Sequence, residues 1–255
     1  MIFKRAIAKL RAQEWAAITT ELMIVIVGVF VGTWVANWNQ DRVEKAETRK
    51  MVAQLDPTLR QLTDYFQSAR TYYAATRGYS DTAIAGWRGD PRVSDADFVI
   101  AAYQASQIYT LGINGSTWST ILGTDRIRDI DDPNLRSDLT LLMTADYSQF
   151  DQAGVNTPYR HNVRRVIPVE IQDAIRARCG DRQQPDKLAI LSLPPTCAIA
   201  IPPADAAKAA ALLRAHPELL EDLQGHIAAI ASFRDNIIPV ETAARRIEQR
   251  SGSNR

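Results

Sequence analysis

The sequence predicts an all-α protein, with a single N-terminal transmembrane helix continuing into a helical bundle. Three observations carry this expectation. An uncharged apolar run, LMIVIVGVFVGTWVA, fills residues 22–36; apolar residues downstream recur at steps of three and four; and strand-like alternation is nearly absent. The composition is that of a folded chain, 255 residues with 46% apolar and 23% charged, so a core can be buried. Thirty basic residues against 29 acidic ones leave a net charge of +1, which offers no electrostatic footprint for nucleic acid.

The expected span covers residues 18–38, interrupted only by Glu21 near its start. About 20 helical residues rise about 30 Å, the thickness of the hydrocarbon core. Trp34 and Trp38, with Asn37 and Asn39, form a polar and aromatic end suited to one headgroup layer, and Trp15 takes the same part at the other. Glu21 lies where a carboxylate must reach water or a partner; reaching out to the headgroups is its simplest reading. Gly28 and Gly32 form a GxxxG step that lets two helices approach closely, or they merely face lipid. A cleaved signal peptide fits less well, because Trp34 stands where a small residue is needed.

Residues 1–17 place Phe3, Ala6, Ile7 and Leu10 on one face and Lys4, Arg5, Lys9 and Arg11 largely elsewhere. This suits a cytoplasmic amphipathic helix lying on an anionic leaflet, or a basic tail that only orients insertion. Basic residues on the two sides of the span tie, so charge alone does not orient it. Cys179 and Cys197 do more. They lie eighteen positions apart around Pro185, Pro194 and Pro195, which suits a surface loop closed by a disulfide in an oxidising compartment; two unrelated buried thiols are the alternative. The cysteine pair and the single span favour a cytoplasmic N-terminus and a translocated domain over residues 39–250.

In that domain, QDRVEKAETRK has no helix breaker and extends the span into one continuous rod. Asp56-Pro57 restarts a helix, from which Leu55, Leu59, Leu62, Phe66, Ala69 and Tyr73 form a packing seam. Gly78 and GWRGDP mark a break, and Ser94 or Asp95 caps a helix running to about Leu111. Asp132-Pro133 opens another helix, and a single further one carries Val163, Ile167, Ile171 and Ile175. Residues 179–203 read as a Pro-rich loop with room for a short strand at LAILSL. The last helical stretch breaks near His216-Pro217 and ends in a disordered tail at 251–255.

No motif assigns chemistry, so no catalytic or metal residue and no cofactor is expected. His161, His216 and His226 lack metal-ligand spacing, and Asp125, Asp129, Asp131 and Asp132 lack the glycine and glutamate of a calcium loop; capping by Asp131 or Asp132 explains them. Arg160, His161, Arg164 and Arg165 form a basic cluster that can contact an anion or stand as a solvated face.

Two stretches resemble a known group. Glu21, the run from Val27 to Gly32, and Asn37-Trp38-Asn39 resemble the N-terminus of bacterial single-span membrane proteins carrying a domain of unknown function, whose pattern is an acidic residue, VGVFIG, then NWN. Trp118, Leu122, Gly123, Ile127, Ile130, Leu135, Arg136 and Leu139 resemble that group's second signature, with Gly123 shifted from the usual turn. The resemblance implies a bacterial inner-membrane protein with a periplasmic helical domain and no known activity. The expected function is a noncatalytic envelope protein, not an enzyme, whose partners are the bilayer and a second copy or another membrane protein. Assembly would run through the span and the Leu55 to Tyr73 seam. The rival is a helical ligand-binding module of sensor type, signalling through a partner. A cavity with converging polar groups favours the rival; a wide exposed apolar stripe favours assembly.

Overall fold

The computed structural model describes residues 2–110, 127, 130–147, 156–184 and 187–253. The second-signature residues Trp118, Leu122 and Gly123, together with Asp125 and Asp129, lie outside them. The chain divides into two units, residues 1–52 and 53–255.

The first unit is helix α1 (Ile2–Gln54), which contains no proline and runs unbroken through the apolar segment and the charged stretch after it. Large apolar side chains from Ile18 to Trp38 expose 47% to 73% of their surface. So much continuous apolar surface is not stable in water. Among the described residues α1 is the one helix long and apolar enough to cross a membrane. Residues 2–17 belong to this same helix; their expected amphipathic face lies outside the described side chains.

The second unit contains α2 (Asp56–Trp87), α3 (Asp95–Gln104), α4 (Pro133–Thr144), α5 (Pro158–Val166), α6 (Val169–Cys179), strands β1 (Arg182–Gln184) and β2 (Lys187–Ser192), α7 (Pro203–Arg214) and α8 (Glu218–Ser253). The helical class holds. Helix α2 packs along α8 and α3, while α4 and α5 lean on α8 and α7 covers α3. The seam residues Leu55, Leu59, Leu62, Phe66, Ala69 and Tyr73 are all buried in this core. The seam is therefore consumed by packing within the chain and is not a surface for assembly.

Several boundaries differ from expectation. Asp56 is the first residue of α2 rather than its cap, and its buried carboxylate accepts from Arg60 at 3.0 Å. Gly78 does not break α2; the roughly 1 kcal/mol cost of a helical glycine is outweighed by the flanking buried Thr76, Tyr79 and Ser80. The break comes at Gly89, whose φ of 74° suits glycine. Helix α3 starts at the Ser94 cap, where the Asp97 amide donates to Ser94 Oγ at 3.1 Å. It ends at Gln104 rather than near Leu111, because the following backbone bonds side chains instead: Tyr72 Oη donates to the Ile108 carbonyl at 3.1 Å and the Tyr109 amide donates to Tyr73 Oη at 3.1 Å.

Asp132 caps α4 through the amides of Asn134 and Leu135. The single helix expected over Val163 to Ile175 is two, since Pro168 ends α5 and opens α6. The Pro-rich loop contains more than a strand: β1 and β2 pair antiparallel, with Arg182 opposite Ser192. The break at His216-Pro217 separates α7 from α8, and α8 stays helical through Ser253, inside the stretch read as a tail.

Candidate functional site

Three groups of singled-out residues fall in three places. On α1, Trp15, Glu21, Trp34 and Trp38 are all exposed. Trp15 and Trp38 lie about 35 Å apart along the axis, a length comparable with the roughly 30 Å hydrocarbon core of a bilayer. The Arg42 guanidinium sits 5.2 Å from the Trp38 ring centroid, so a cation and an aromatic share that end. Within the apolar stretch, Thr33 Oγ1 donates to the carbonyls of Val29 and Phe30, both at 3.0 Å, which keeps the hydroxyl satisfied without water. Gly28 and Gly32 lie on one face, and beyond the adjacent turns of the helix itself nothing stands within 4 Å of where a Cβ would be.

Cys179 and Cys197 are joined in a disulfide, with Cα atoms 5.5 Å apart. It fits an oxidising compartment. The closed loop lies against α2 and the chain after α3: Ser68 Oγ donates to the Leu191 carbonyl at 2.7 Å, and the Leu191 amide donates to Tyr109 Oη at 3.1 Å. Tyr79 Oη donates to the Pro194 carbonyl at 2.9 Å.

The basic cluster is split by the turn of α5. His161 and Arg165 are exposed, whereas Arg160 and Arg164, one turn apart, are half-buried. Arg160 Nη1 donates to the Ser106 carbonyl at 2.7 Å; Arg164 Nε donates to Ser106 Oγ at 3.0 Å and Arg164 Nη2 to Gln107 Oε1 at 2.9 Å. The Arg164 guanidinium lies 4.8 Å from the Tyr103 ring centroid. Burial lowers the pKa of both arginines, and the charge of Arg160 lowers that of Arg164 further. Neither forms an ion pair among the described residues; Asp181 acts on Arg160 only at longer range. All four basic residues line an open cleft of about 600 Å³ with Asn156, Thr157 and Pro158.

Behind the cleft stands His226, fully buried, its Nδ1 2.8 Å from Thr157 Oγ1 and its Nε2 without a hydrogen-bond partner. Burial, with the Ala105 backbone opposing and Arg160 assisting, pulls its pKa down to about 4, so the ring is neutral near pH 7. Thr157 gives its hydroxyl to this contact and does not cap α5.

Ser106, Gln107 and Thr157 escape the sequence reading. Ser106 and Gln107 were legible only as the polar interruption in AYQASQIY. Comparison with protein-family models, curated proteins and solved structures finds no match. What the described residues define is a disulfide-closed helical domain and, among them, one helix long and apolar enough to cross a membrane.

Proposed function

We propose that the chain is a noncatalytic bacterial inner-membrane protein with a cytoplasmic N-terminus and a periplasmic helical domain, acting as an assembly or accessory subunit through its span and that domain. The observation that carries this reading is a bare apolar helix in the same chain as a disulfide-closed domain. A lone span in a disulfide-bonded protein is an anchor, and the oxidising side of the membrane is where the bond persists. The resemblance carried by Glu21, the GVFVG run and Asn37-Trp38-Asn39 supports the bacterial assignment. Self-association falls to the span, since the Leu55 to Tyr73 seam is internal. Exposed Leu141, Val169, Leu212 and Ile238 are spread over four different helices and make no stripe.

Topology is tested with a membrane-impermeant thiol label on spheroplasts, the native cysteines being bonded to each other. Ser253→Cys is expected to label in intact spheroplasts, and Ala8→Cys only after permeabilisation. Labelling of Ala8→Cys alone reverses the orientation and removes the periplasmic reading with it.

A further inference from the structure

The cleft at the start of α5 presents an unusual electrostatic arrangement. Arg160 and Arg164 lie side by side and half-buried, where desolvation penalises each charge and mutual repulsion penalises the pair. A carboxylate is the usual remedy, and neither has one in ion-pair contact among the described residues. Their inward hydrogen bonds to Ser106 and Gln107 use only part of each guanidinium. Arg160 Nε and Nη2, and Arg164 Nη1, have no protein acceptor among the described residues. Arg164, bonded through Nε and Nη2, has its plane held in a fixed orientation, which is what bidentate recognition of an oxyanion requires, and Arg160 is tethered beside it through Nη1. His161 and Arg165 add basic groups at the exposed rim of the same cleft.

We propose that this cleft binds a phosphate group, with Arg160 and Arg164 as its floor and His161 and Arg165 as its rim. The cleft is open to solvent, so the phosphate can be that of a soluble phosphate-bearing compound or of a lipid headgroup. The site gives the helical domain the ligand-binding role that the sequence leaves as the rival to assembly. It stands whether or not the span self-associates and whichever way the chain is oriented.

The test is thermal unfolding of the full-length protein in neutral detergent micelles, at constant ionic strength. One arm titrates inorganic phosphate against chloride; the other dopes the micelles with phosphatidylglycerol against phosphate-free diacylglycerol. A saturable rise in the midpoint with phosphate identifies a soluble ligand, and a rise only with phosphatidylglycerol identifies a headgroup; either supports the site. His161→Gln with Arg165→Gln, on exposed positions that leave the core intact, is expected to weaken the effect about tenfold by removing charge-assisted contacts. Arg164→Gln is expected to abolish it. No rise beyond the chloride and diacylglycerol references overturns the proposal, as does an undiminished rise in the rim variant, which keeps the test valid even if Arg164→Gln does not fold.

Discussion

His226 occupies a position in α8 where the stripe of Leu223, Ile230 and Phe233 calls for an apolar side chain. A neutral imidazole meets that demand, and a charged one does not. The folded pKa of about 4 lies below the unfolded value near 6.5, so the unfolded chain takes up the proton first as pH falls. Stability from this group is fully present above pH 6.5 and is lost between about 6.5 and 4, by an amount on the order of 3 kcal/mol. His226→Gln, which keeps a polar group beside Thr157 and does not titrate, is expected to flatten the dependence of the denaturation midpoint over that window. Parallel profiles for parent and variant would refute the assignment. Buried Asp138 shows a different solution: Arg246 at 2.6 Å and Arg250 at 3.3 Å pair with its carboxylate. That residue scale was the least legible in sequence. Arg160 and Arg164 look like any basic run on a helix, and their acceptors lie more than 50 residues earlier in the chain.

Elements were more legible, because periodicity and caps are local signals. The buried stripe of α2 from Leu55 to Tyr73, the Ser94 and Asp132 caps and the break before Pro217 all follow from residues within a turn or two of one another. Where expectation and structure part, a tertiary contact decides: the chain leaves α3 early to bond Tyr72 and Tyr73, and the Pro-rich loop pairs into a hairpin that lies against α2. That hairpin sits inside the Cys179–Cys197 loop, whose closure is worth about 3 kcal/mol by loop entropy. Reduction is therefore expected to lower the unfolding midpoint by roughly 5–10 °C and to speed amide exchange over 182–192. The Cys179→Ser, Cys197→Ser double variant should melt at the reduced value with or without reductant. An oxidised protein that melts no higher than the reduced one would show that the hydrogen bonds with Ser68, Tyr79 and Tyr109 hold the loop without help.

At the scale of the whole molecule, the one extended apolar surface among the described residues is that of α1, and the domain offers no comparable patch. In lipid no hydrophobic force joins two helices, so close packing at small residues is what favours their contact. Gly28 and Gly32 share a face, and a Cβ at either would meet nothing within 4 Å beyond the adjacent turns of its own helix, so leucines there are accommodated within the protomer. Any effect of Gly28→Leu with Gly32→Leu on association must then come from a partner helix. Insertion is expected to be unaffected, since leucine favours the apolar core. The measurement is crosslinking in membranes of the parent, the glycine double variant and a control, Ile26→Leu with Phe30→Leu, on the opposite face of the helix. The parent and the control are expected to yield crosslinked pairs, and the glycine variant several-fold fewer. A monomeric parent, or a glycine variant that crosslinks as well as the control, would remove the span as a self-association surface and leave a different membrane protein as the partner of α1.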